Sequence, residues 1–207
     1  MSVRRVVLAC LLLGVAVLTA LLAADLVRWR DAVRNGDRQF TRSVADARWR
    51  AAGVLPGDPA RTLLGLEDAL AFRSAAQDFE AVKGAGKGYD NGVSEAHTRG
   101  ALEARLALLA RSGDRVLASR ADNLLGILAF ADSRRTGANA PAPVEQSLAA
   151  FQAAIRLDPS NDDAKFNLEL LWRQLVAHGT RLGPSGTPGG PAVGHRGAGG
   201  GVPGRGY

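Results

Sequence analysis

The first strong pattern in the chain has no periodicity at all. "VVLACLLLGVAVLTALLAA", Val6 to Ala24, is nineteen residues without a charge. As a helix it rises about 28 Å, close to the hydrocarbon thickness of a bilayer. Beyond it, apolar residues recur with the helical period. Leu26, Trp29 and Val33 form a stripe that runs to Asn35-Gly36, a dipeptide that predicts a turn. Phe40, Val44, Ala47 and Ala51 predict another helical face, broken by the prolines and glycines of "GVLPGDP" at 53–59. From Ala60 to about Val82, Leu63, Leu66, Leu70 and Ala71 predict a long helix. "KGAGKGYDNG" at 83–92 predicts a connector. Ala101–Leu109 and Asp114–Ala131 predict two further helices, parted at Ser112-Gly113. Val144–Leu157 and Ser160 to about His178 predict two more. Nowhere do β-branched residues alternate as a strand requires, so the fold class is all-α.

Three fates are open to the apolar run. A cleaved secretory signal needs a shorter run and a small-residue cleavage site, for which "LLAAD" is available. A lipoprotein signal is suggested by "VLAC" at 7–10, but only Val6 to Ala9 precede Cys10, short of the usual apolar core. A retained single-pass transmembrane anchor fits the length best. Arg4 and Arg5 flank one side, and Arg28, Arg30 and Arg34 flank the other, so the positive-inside rule does not decide the topology. A five-residue head is far easier to leave behind than a long domain, which favours an extracytoplasmic body in the cell envelope.

Charge narrows the function. Residues 25–50 carry seven Arg against four Asp, and 51–178 hold fourteen basic and sixteen acidic groups. The tail from Gly179 on carries three Arg and no acid. A nucleic-acid binder concentrates basic charge on its folded part; here that part is nearly neutral. Arg outnumbers Lys 23 to 3, which reads as coding bias. The lone Cys10 excludes an intramolecular disulfide and a cysteine metal cluster. The tail, 179–207, has twelve Gly and four Pro among twenty-nine residues, too little apolar surface to offset chain entropy, and is expected to be disordered. Its arginines suit a plain flexible end or a touch on anionic lipid or cell-wall polymer.

"LDPSNDDAKFNLELL" at 157–171 is the most structured motif. Ser160 reads as a helix N-cap with Asp163 three residues on, as in a capping box. Asp162 and Asp163 meet the positive end of the helix dipole. Ala164, Leu168, Leu171 and Leu175 then share a face, with Trp172 alongside. The acids therefore mark a helix–turn–helix joint, not a catalytic site.

This joint resembles a tetratricopeptide repeat, whose skeleton is W-x2-L-G-x2-Y, then A-x3-F, then P. Leu125-Gly126 supplies the L-G pair, Ser147 and Phe151 supply A-x3-F, and Ala154, Leu157 and Pro159 close the unit. Leu168 and Trp172 match the Leu and Tyr positions of a following helix. Asp122 stands for the Trp and Ala129 for the first Tyr. Gly126 to Phe151 is nine residues too long, with "TGANAPAP" at 136–143 as the insertion. The resemblance covers 119–178, one unit and a following helix. Such a unit needs stacked neighbours, which 25–118 is expected to supply as degenerate hairpins.

The whole order of anchor (1–24), "NLLGILAF", "AAFQAAIRLDPSNDDAKFNLELLWRQL" and a Gly-rich tail ending "GRGY" resembles a group of bacterial, particularly actinobacterial, membrane proteins. They are typically encoded beside MoxR-type AAA+ ATPases and von Willebrand A-domain proteins. The resemblance implies an accessory role in the cell envelope through protein contacts, and no catalytic residue.

Chemistry-bearing constellations do not assemble in the sequence. His97, His178 and His195 are scattered, with no His or Cys three to five positions away. No G-x-S-x-G elbow occurs. Glu67-Asp68 are adjacent and point apart on a helix. The connector at 83–92 lacks the leading Gly and trailing Ser or Thr of a phosphate loop. Lys165 and Asn167 suit a partner carboxylate or a plain surface. The expected molecule is thus a membrane-anchored scaffold that binds a protein, with no catalytic, cofactor or metal site and no nucleic-acid partner. An extracytoplasmic tetratricopeptide chaperone, as in cytochrome c maturation, and an envelope enzyme with an unrecognised helical site are the alternatives.

Overall fold

The computed structural model describes residues 3–85, 92–135 and 141–177. Among these, all regular structure is helical: α1 (Val3–Arg42), α2 (Pro59–Leu63), α3 (Leu66–Ala85), α4 (Gly92–Leu109), α5 (Arg115–Arg135), α6 (Pro141–Leu157) and α7 (Asp162–Ala177). The tail at 179–207 and most of the connector at 83–92 lie outside the described residues.

The forty-residue α1 contains the apolar run and is long and apolar enough to cross a bilayer. It does not turn at Asn35-Gly36. Gly36 is buried inside the helix, and a Cβ there would lie 2.3 Å from Cδ1 of Trp49 and 2.8 Å from the Arg48 carbonyl oxygen. Glycine is present so that another segment can press on the helix, and that packing overrides the local turn preference.

That segment is 43–58; the helical face expected over Phe40–Ala51 ends with α1 at Arg42, and the rest of the segment holds no helix. It returns along α1 towards the apolar end. Near Arg42, Trp49 Nε1 donates to Asp37 and Arg48 N–H donates to Gln39. Further back, Val54 and Leu55 N–H donate to the two carboxylate oxygens of Asp25 at 2.7 and 3.0 Å. Trp29 Nε1 donates to Asp58 at 2.6 Å. Ala47 is buried, and the Phe40 and Trp49 rings meet at 5.9 Å.

The helix predicted over 60–82 is divided. Gly65 adopts φ +58°, the left-handed region open to glycine, and ends α2 before α3 begins. α3 is tied to α1 and to the return segment by side chains: Arg73 pairs with Asp37 at 2.8 Å, and Gln77 donates to the Val44 carbonyl at 2.6 Å. α4 begins earlier than predicted, at Gly92.

From α3 onward each helix packs on the next, and α3 also touches α5, and α5 touches α7. Two apolar clusters fill the stack. Ala75, Phe79 and Val82 meet Leu102, Leu106 and Leu109, with Leu117, Ala121 and Leu128 of α5. Val144, Leu148 and Phe151 meet Leu171 and Leu175. Arg99 ties α4 to α5 by donating to the Leu128 carbonyl at 2.5 Å and pairing with Asp132 at 2.7 Å.

Candidate docking surface

The surface is set by how closely α5 and α6 approach. Their seam is built from small residues: Ser119 and Gly126 on α5 face Ala154 and Ser147 on α6, all buried. Ser147 Oγ donates to the Gly126 carbonyl at 2.9 Å, and Ser119 Oγ donates to the Ala154 carbonyl at 2.8 Å. These hydroxyls have buried carbonyls as partners, so neither is left unsatisfied in the close contact. Phe151 is fully buried, with its ring over Gly126.

The turn from α6 to α7 is fastened to the same seam. Asn161 Oδ1 accepts from Ala164 N–H at 3.0 Å, and its amide donates to Ser119 Oγ at 2.8 Å. Asn161, one residue after the expected Ser160, is therefore the N-cap of α7. Ser160 caps nothing; its hydroxyl and backbone N–H both donate to Asp158. Asp163 stands exposed in the first turn of α7, in place of the expected capping-box partner. The Ser160 hydroxyl holds the Asp158 carboxyl below the usual carboxylate range, helped by the N–H of the same residue.

Between α3, α5 and this turn lies a cleft of about 470 Å³. Phe72 of α3 and Val116 and Leu124 of α5 give it apolar walls; Arg120 and Asn123 face Asp158 and Asn161 across it. Asn167 of α7 donates to Asn123 Oδ1 at 2.9 Å, which joins α5 and α7 at the floor. Phe166, beside it, is 65% exposed, and Leu170 one turn on is also exposed. A surface of separated apolar side chains among amides and both signs of charge suits a peptide or a helix face.

The predicted signature residues divide into core and surface. Gly126, Phe151 and Ala154 are buried together; Leu125 and Leu168 are half-buried against the two clusters. Leu157 ends α6, and Pro159 is exposed in the turn. Trp172 stands at the surface of α7 rather than in the packing. Asp122, at the Trp position, is half-buried; burial raises its carboxyl above the usual range and Arg156 partly opposes this. Ser119, Asn123 and Asn161 were not singled out from the sequence, although an Asn directly before two acids is itself a cap signal. Among the described residues no three His, Cys, Asp or Glu side chains gather as metal ligands would, and His97 is exposed. Comparison with protein-family models, curated proteins and solved structures finds no match for this chain.

Proposed function

We propose that this protein is a membrane-anchored scaffold in which a tetratricopeptide-like stack presents one face to a protein partner. The observation that carries the reading is the helix pairing: α3, α5 and α7 touch one another in series while each packs on its sequence neighbour. That arrangement lines up alternate helices on a shared surface, as stacked hairpins do. The Gly126–Phe151–Ser147 contact, at the L-G and A-x3-F positions, supports the same reading. Val6–Ala24 serves as a retained anchor, with the body on the extracytoplasmic side. The partner on this face is a von Willebrand A-domain protein, with the MoxR-type ATPase of the same system on the cytoplasmic side, as the likeness to that group of membrane proteins implies.

A photo-crosslinking residue at Val116, which is exposed and lines the cleft, tests this in the full-length chain in native membranes. Mass spectrometry should recover an A-domain protein from the wild type. The adduct should be lost in an Arg120→Glu/Phe166→Ala variant that accumulates normally. Adducts unchanged by that variant, or none to an A-domain protein, would refute docking on this face.

A further inference from the structure

The base of the body carries a second surface, separate from the cleft at α5. Asp25 is the first residue after the apolar run, and the Val54 and Leu55 N–H groups bind its carboxylate. The return segment and α2 therefore lie at the level where α1 leaves the apolar zone. At that level Val27, Val54, Leu63 and Leu64 are all exposed, Leu63 by 66%. Above them a groove of about 490 Å³ runs along α1, walled by Leu26, Val33, Leu64 and Leu66 with Arg30 and Arg34 at its edge.

We propose that this groove holds an anionic phospholipid of the bilayer that α1 enters, with an acyl chain on the apolar walls and the phosphate on Arg30 and Arg34. The assignment rests on the reading of Val6–Ala24 as a membrane anchor. Arg30 lies six residues past Ala24, about 9 Å along the helix axis, which is headgroup level. Side chains on a helix lean towards its N-terminus, so Arg34, one turn further, reaches back towards the same layer. Neither arginine forms an ion pair among the described residues. The groove walls continue the apolar surface of the anchor helix, so one lipid can lie along both without exposing its chain to water.

The test uses the full chain in nanodiscs, in a Cys10→Ser background with one new cysteine labelled by a fluorophore. Leu13→Cys reports on the anchor, Leu63→Cys, next to Leu64 of the groove wall, on the groove, and Leu108→Cys on the exposed surface of α4. Brominated acyl chains are supplied on phosphatidylglycerol or on phosphatidylcholine in mixed discs. The proposal expects quenching at 13 by either lipid and none at 108. At 63 it expects quenching that favours the anionic lipid, roughly fivefold for each guanidinium engaged. That preference should vanish in Arg30→Gln/Arg34→Gln. Quenching at 13 with none at 63 overturns the groove lipid and leaves the anchor standing. Equal quenching at 63 by both lipids overturns the phosphate assignment. No quenching at 13 overturns the anchor and the groove lipid together.

Discussion

The ring of Phe151 occupies the space that a side chain on Gly126 would need, with Cε1 and Cδ1 only 2.5 and 2.6 Å from the Cβ position. One residue is present for its bulk and the other for its lack of any. Gly126→Ala should destabilise the fold by about 1–3 kcal/mol through overpacking, although alanine favours a helix over glycine by roughly 1 kcal/mol. Phe151→Ala should cost about 3–5 kcal/mol. Combining them should be less damaging than the sum, because alanine at 126 then meets no ring. Thermal unfolding of the detergent-solubilised chain measures all three. A change well under about 1 kcal/mol for Phe151→Ala would contradict the packing described.

Asp122 should oppose folding at neutral pH. Its folded pKa lies above the unfolded value of about 3.9, so the penalty is full where the carboxyl is ionised in both states. The penalty fades as pH falls through the folded pKa and is gone below the unfolded one. Asp122→Asn is therefore expected to melt higher than the parent at pH 7 and to match it near pH 3. A lower melting point at pH 7 would mean that the attraction of Arg156 outweighs burial.

Asp158 and Asn161 separate by pH. The depressed pKa of Asp158 gives stability that is present above its unfolded value of about 3.9 and lost as pH falls through the lower folded value. Ser160→Ala removes the largest cause, so its deficit should be confined to neutral and mildly acidic pH and should close in strong acid. Asn161→Ala should cost about 1 kcal/mol at every pH, because an amide cap does not titrate. Melting curves at pH 7 and pH 2.5 tell the two apart.

Gly36 should control access to the return segment. A methyl group there displaces the Trp49 ring and loosens 43–58, at a local cost of about 1–3 kcal/mol. Trypsin should then cut Gly36→Ala after Arg48 or Arg50 roughly tenfold faster than the wild type. Unchanged cleavage would show that Trp49 finds another seat without releasing the segment.

Helices with long uninterrupted stripes were legible in the sequence because periodicity reports a buried face, and α5, α6 and α7 fall within a few residues of expectation. Gly126, Phe151 and Ala154 stood out in the sequence as signature positions, but the seat of the Phe151 ring on Gly126 was not legible, because the two lie nine residues further apart than the repeat pattern sets. Phe40 to Ala51 misled because its spacing joins Phe40, which lies in α1, to a returning segment held by both α1 and α3. Asn35-Gly36 misled because a glycine that admits a ring and a glycine that admits a turn look alike. The cleft draws on Phe72, Asn123 and Asn161, which lie far apart in sequence and share no period, so only the folded chain brings them together.

The bracing of α1 by Asp25, Trp29 and Gly36 also sets how a partner can arrive. A domain on a slack tether samples a hemisphere of positions and bearings above the bilayer. On the proposal that Val6–Ala24 is a membrane anchor, this bracing narrows the heights and tilts open to the segment packed on α1. A partner rooted in the same membrane then has fewer angles left to match. One arriving free from solution must match every angle unaided.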